Sequence, residues 1–173
     1  MNGKEKKEAL EDVRLGNIDW EVDGAEAVSI MNHNFGITID LDHFLNSAEK
    51  NTGGVVARHR GYAIGFFFYK KIRDSLIVTW FTITESNQGL GVEEMLADAV
   101  IREAEKKGIR TIVAYIHAQE KCLTQMLEER LFSETGASLE KCQGGEYATV
   151  RFEYKTTLRN RLTRYFEEIG FKP

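Results

Sequence analysis

Three apolar segments in immediate succession constrain this chain more than any other feature. Val55 to Arg60, Tyr62 to Lys70 and Leu76 to Thr84 are rich in β-branched and aromatic residues, the composition of strands. A single glycine, Gly61, separates the first pair, and the turn Arg73-Asp74-Ser75 leads into the third. A parallel connection needs a crossover of about a dozen residues or more, so these strands must be antiparallel neighbours. The middle one carries Phe66, Phe67 and Phe68 consecutively. Successive strand side chains point to opposite faces, so this run predicts a strand buried on both sides.

Helical patterns surround the triplet. Asp23 to Asn32 has Ala25, Val28 and Met31 at helical spacing, and Leu41 to Lys50 predicts a second helix, capped by Asp40 and ended by Asn51 with Gly53-Gly54. Val92 to Lys107 predicts a third: Val92, Met95, Leu96, Ala99 and Val100 share one face, and Gly108 is placed to end it. Val13 to Ile18 and Thr111 to Ile116 read as further strands, Lys121 to Arg130 as a helix, and Leu139 to Cys142 with Tyr147 to Tyr154 as a hairpin around Gln143-Gly144-Gly145. The order is that of an α+β fold: a mixed, mostly antiparallel central sheet in a three-layer α/β/α arrangement. Residues 1–154 form one domain in this reading. Residues 155–173 add an amphipathic helix, Leu158 to Ile169, packed on that domain or on a dimer partner.

Composition narrows the class. At 173 residues with 42% apolar content, the chain suffices for one domain with a sizeable core. A net charge of -4 argues against a nucleic-acid binder held by phosphate contacts. No apolar run reaches membrane-spanning length, and the opening MNGKEKKEAL lacks a signal-peptide stretch, so a cytoplasmic protein is expected. Cys122 and Cys142 match no metal-ligand spacing; reduced thiols are the expectation, with a disulfide as the alternative. His33, His43 and their neighbouring aspartates supply no ligand pair with a third partner, so no metal is expected.

The segment with the most chemical content is Asn87-Gln88-Gly89-Leu90-Gly91-Val92, between a strand and a helix. Such a junction aims several backbone N–H groups, and the positive end of the helix dipole, at one point and so attracts an anion. Glycines let the backbone approach that anion closely. A dinucleotide-binding loop would need glycine where Glu94 stands, and a Walker loop would need a Lys-Ser/Thr pair that is missing. An ordinary strand-to-helix turn remains open on the glycines alone.

Gln88-Gly89-Leu90-Gly91-Val92-Glu93 resembles the Q/R-x-x-G-x-G/A signature of the GNAT N-acetyltransferase superfamily, found where the fourth strand meets the third helix. MLADAVIREAEKKGI resembles the helix that follows, TIVAYIHAQEKCLTQMLEERLF falls on the next strand and helix, and the element order matches from residue 13 to 154. The resemblance implies acetyl-CoA as co-substrate, its pyrophosphate on the amides of Gln88, Gly89, Leu90, Gly91, Val92 and Glu93. It implies that the pantetheine pairs with the strand end from Phe81 through Thr82 and Ile83 to Glu85, in a gap between parted fourth and fifth strands. The amide near Ile83 would hold the oxyanion.

The implied reaction is direct transfer of the acetyl group to an amine of a small molecule or peptide, with Glu85 as the base. The family's helix-four tyrosine falls on Leu127, which cannot donate a proton; Tyr115 or His117 could substitute. The family's asparagine at the start of that helix is Glu120. Glu93 replaces the final Gly/Ala and would suit a pyrophosphate only by pointing away from it. Asn32, His33, Asp40, Asp42 and His43 lie where the family shapes its acceptor site. A catalytically degenerate module that binds acyl-CoA or a protein partner without turnover is the alternative.

Overall fold

The computed structural model describes residues 10–36, 38–48, 52–117, 121–130, 132–142, 145–157 and 160. Its strands are β1 (Val13–Asn17), β2 (Thr52–His59), β3 (Tyr62–Ile72), β4 (Ser75–Ile83), β5 (Thr111–His117), β6 (Ser133–Cys142) and β7 (Gly145–Lys155). Its helices are α1 (Trp20–Phe35), α2 (Leu41–Ala48), α3 (Val92–Lys106) and α4 (Lys121–Glu129). The strands form one seven-stranded sheet in the order β1-β2-β3-β4-β5-β7-β6. Every pairing is antiparallel except β4 with β5. The α+β class and mixed sheet expected from the sequence are therefore present.

The phenylalanine run does what its pattern predicts. Phe67 packs in the core beneath α3 and α4, whereas Phe66 and Phe68 pack beneath α1 and α2. All three are essentially buried. On the α1/α2 side Phe66 stacks on Phe68 with centroids 4.4 Å apart, and Trp20 and Phe44 close over Phe68 at 4.8 and 5.5 Å. On the other side Leu96, Val100 and Ile101 of α3 and Leu123 and Leu127 of α4 cover the sheet. Burying one such large side chain is worth about 1.5–3 kcal/mol, so these two layers hold the sheet from both faces.

Several boundaries depart from the sequence reading. α1 begins at Trp20, because Asp19 caps it by accepting the Glu21 N–H and Asp23 accepts the Asp19 N–H at 2.8 Å. Asp23 is buried and paired with Arg58 on β2, a partner 35 residues away that no local pattern reveals. Gly53 and Gly54 do not end α2; they belong to β2. A Cβ on Gly53 would lie 2.4 Å from the Tyr69 ring, and one on Gly54 would lie 2.8 Å from the Phe67 carbonyl oxygen. Close approach of β3, not a turn, requires them. β6 starts at Ser133, six residues before the expected Leu139, since its polar first half shows no apolar alternation. Gly108 does end α3, at φ +65°, with the Ile109 N–H on the Ala104 carbonyl at 2.9 Å.

No helix among the described residues is long and apolar enough to cross a membrane. The expected C-terminal helix over Leu158 to Ile169, Glu120, and the side chains of His43, His117, Cys122 and Cys142 lie outside what is described.

Candidate active site

The site is created by an extra residue in β4. Phe68 pairs with Trp80 and Tyr69 with Val78, which leaves Thr79 as a bulge. A bulge bends its strand and sharpens the local twist. β4 and β5 stay paired only from Ser75 to Val78, against Thr111 to Ala114. Beyond the bulge, Trp80–Ile83 remains on β3 while Tyr115–His117 remains on β7, and the parallel pair parts.

The parted edge of β4 has backbone groups to offer. The Thr84 N–H bonds the Ile64 carbonyl at 2.8 Å, on the β3 side. Backbone groups alternate along a strand, so Phe81 and Ile83 turn their amides to the opposite edge, toward the gap. The Ile83 carbonyl there accepts from Asn34 Nδ2 at 2.7 Å and from Gln88 Nε2 at 3.3 Å. Asn34 Nδ2 also donates to Thr82 Oγ1 at 2.6 Å. Thr82 is fully buried, as are the side chains of Phe81 and Ile83, whose contribution to the gap is backbone. Asn34 was absent from the sequence candidates. Its signal was there: Ala27, Ile30 and Met31 form a buried helical stripe, and Asn34 is the polar residue that continues it.

The strand leads through one 3-10 turn, Glu85–Asn87, into the glycine segment. Gly89 has φ +73° and Gly91 φ +104°, and Gly91 caps α3 from that conformation. Side-chain-bearing residues rarely adopt it. Val92 fills the core, and Leu90 is half-buried. Glu93 does not point away from this cradle. Its side chain is 2% exposed; Oε1 accepts the Gly89 N–H at 2.6 Å, and Oε2 is buried without a hydrogen-bond partner among the described residues. The reason is local: an anion in the first helical turn is drawn to the orphan amides and dipole that would attract any other anion. From Thr84 to Asp98 the sequence has no Lys or Arg, so within this segment only the backbone amides and the helix dipole attract an anion.

The two catalytic candidates stand apart in their partners. Glu85 is exposed at the mouth of the gap, its Oε2 3.9 Å from His33 Nε2 at the end of α1. Tyr115 is half-buried on β5, one residue past the last β4 pair, and lies opposite Arg151 on β7. Burial alone would lower the Arg151 pKa; bonds to Glu153 and Tyr115 outweigh it and hold the guanidinium above its ordinary value. Tyr115 therefore has a cationic partner. Leu127 is buried beneath the sheet. Asn32 grips the α1–α2 connection, accepting the Ile39 N–H at 2.7 Å and donating to its carbonyl at 3.4 Å. Asp40 precedes α2, its carbonyl accepting the Phe44 N–H at 2.9 Å.

No family model matches the sequence, and no curated protein matches it. Solved structures do match. The ribosomal-protein-S18-alanine N-acetyltransferase of Escherichia coli superposes with a TM-score of 0.71 at 15% identity, over 84% of this chain and 95% of that one. The chain has the GNAT N-acetyltransferase fold. A Salmonella typhimurium protein assigned as an acetyltransferase, solved with its cofactor acetyl-CoA, gives 0.69 at 18% identity over 85% and 95%. NAA60 of Arabidopsis thaliana, solved with a bisubstrate analogue, gives 0.68 at 14% over 83% and 97%. At these identities the likeness is one of GNAT fold, and the chemistry must be argued from the site itself.

Proposed function

We propose that this chain is an acyl-CoA-dependent N-acyltransferase that moves an acetyl group from acetyl-CoA to an amine of a small molecule or peptide. The observation that carries the reading is the bulge at Thr79, which parts β4 from β5 and turns the amides of Phe81 and Ile83 into the gap. An extended amide-bearing arm can pair there as an added strand does. The fit to acetyl-CoA is divided. The strand edge suits the pantetheine thioester, whereas Glu93 occupies one amide of the pyrophosphate cradle, that of Gly89.

The chemistry follows from positions. A bound acyl-CoA supplies an activated thioester. Glu85, exposed at the mouth and beside His33, takes the proton of the approaching ammonium. The Ile83 N–H, facing the gap, stabilises negative charge on the thioester oxygen, a contribution of about 3 kcal/mol for one such donor. Asn34 and Gln88 fix the neighbouring carbonyl and so hold that amide in place. Tyr115, on the facing strand, is positioned as a proton donor to the leaving sulfur, with Arg151 beside it. A homodimer belongs to the same proposal.

Glu93 favours a second reading, a GNAT-fold module without turnover. Thermal-shift titration with acetyl-CoA, followed by thiol release over a panel of polyamines, amino acids and peptide N-termini, separates the two. Ligand at 100 times its dissociation constant should add about 2.7 kcal/mol of stability. In Glu85→Gln, turnover should fall about 100-fold or more with donor binding retained. Stabilisation without thiol release would select the second reading in its acyl-CoA-binding form; neither signal would sink the transferase and leave only the form that binds a protein partner.

A further inference from the structure

The Glu93 carboxylate is the least explained group in the molecule. It is 2% exposed, one oxygen takes the Gly89 N–H, and the other is buried with no partner among the described residues. Burying a carboxylate oxygen unpaired is costly, and core packing does not call for it at this position. Val92, Leu96 and Val100 already fill the apolar side of α3. The carboxylate lies under an amide that a phosphate would otherwise use. Glu94 adds a second carboxylate in the same helical turn, with no Lys or Arg between residues 84 and 98 to offset either.

Resting on the donor-site reading above, we propose that Glu93 is the chain's own occupant of the anion seat and sets donor specificity. It takes the Gly89 amide from a pyrophosphate and sets a carboxylate beside the remaining ones, which shifts selection of the acyl donor toward its pantetheine thioester arm. Two effects act together. The Gly89 amide is already satisfied, so a pyrophosphate gains nothing from it. The displaced carboxylate would then face the incoming phosphates, a like charge at short range in a poorly solvated site. Donors such as S-acetylpantetheine, which lack the nucleotide diphosphate, meet neither obstacle.

The test is calorimetric titration of the full chain, Glu93→Ala and Glu93→Gln with acetyl-CoA and with S-acetylpantetheine. The unaltered chain should bind the two donors with affinities within about tenfold of each other. Glu93→Ala should bind acetyl-CoA about tenfold tighter or more, the equivalent of one charge-assisted hydrogen bond, with S-acetylpantetheine unchanged. Glu93→Gln keeps an acceptor for the Gly89 N–H but loses the charge, so it should show a smaller gain of the same sign. Acetyl-CoA bound about 100-fold more tightly than S-acetylpantetheine by the unaltered chain would overturn the proposal. So would a weakening of acetyl-CoA in Glu93→Gln, or variants that change melting temperature while the donor ratio stays fixed. Binding of neither donor to any of the three proteins would remove the donor-site reading, and this proposal with it.

Discussion

Asn34 ties the end of α1 to the parted end of β4, and its removal can be quantified. The amide donates to Thr82 Oγ1 at 2.6 Å and to the Ile83 carbonyl at 2.7 Å. Asn34→Ala deletes both bonds. A neutral hydrogen bond contributes about 1 kcal/mol net, and an acceptor left buried adds about 1 kcal/mol more. The Ile83 carbonyl keeps Gln88 as a partner, so only the fully buried Thr82 hydroxyl is stranded. The sum is about 2–3 kcal/mol. At this chain length each kcal/mol shifts the melting temperature by about 2–4 °C, which gives a loss of roughly 4–12 °C. Asn34→Asp should cost more, because it sets a carboxylate against the Ile83 carbonyl oxygen. Thr82→Val removes one bond without the second, and a double-mutant cycle with Asn34→Ala should return a coupling of about 1 kcal/mol. Urea unfolding measures all four proteins. Hydrogen exchange adds a local check: the Thr84 amide should exchange faster in Asn34→Ala, while amides from Ser75 to Val78 keep their protection. Asn34→Ala within about 0.5 kcal/mol of the unaltered chain, or a cycle with no coupling, would refute the tie.

Two further outcomes follow from packing and charge. Lys107 Nζ lies 2.8 Å from Glu103 Oε1 and 2.9 Å from the Tyr69 hydroxyl. Burial would raise the Glu103 pKa, but the bond and charge of Lys107, with help from Tyr69 and Lys106, hold it below its ordinary value. The Lys107 pKa is raised, chiefly by its bonds to Glu103 and Tyr69. The Glu103 contribution is thus present above the ordinary glutamate value of about 4.3 and lost as pH falls through the lower folded value. The Lys107 contribution is present below about 10.4 and lost as pH rises through the higher one. Both groups are partly solvated, so each should amount to less than about 1 kcal/mol, and urea unfolding of Glu103→Gln against pH should flatten the acid limb and weaken the alkaline limb as well, since Lys107 loses its carboxylate partner. Gly65→Ala places a Cβ 2.8 Å from Ile83 Cγ1 and 3.1 Å from the Thr82 carbonyl oxygen. It should cost about 1–3 kcal/mol by the same assay, whereas Gly136→Ala, with nothing within 4 Å, should stay within about 0.5 kcal/mol.

What the sequence disclosed tracks the range of the forces involved. The strand triplet and α3 were legible because apolar period and short turns are local signals. The true start of α1 was not, because the buried Asp23 that supports its cap is neutralised by Arg58 on another element. Gly53-Gly54 misled for a related reason: the same residue type serves a turn or a close approach, and the ring of Tyr69 that decides between them arrives from β3.

The two features that define the site fall on opposite sides of this line. Leu76 and Val78 face the α3 side of the sheet, and so do Phe81 and Ile83. A strict period of two would put positions 80 and 82 there instead, so the slip by one residue marks the bulge at Thr79 in the sequence itself. The gap between β4 and β5 is therefore written locally, in the spacing of four apolar residues. The direction of Glu93 is not. A carboxylate in a first helical turn satisfies the dipole whether it turns outward to water or inward to the loop, and the sequence reading needed it outward to leave room for a phosphate. Inward wins where the loop, turned by the positive φ of Gly89 and Gly91, brings its own amide to 2.6 Å from the carboxylate. The glycines that would open the cradle to a ligand are thus the ones that let the chain close it on itself.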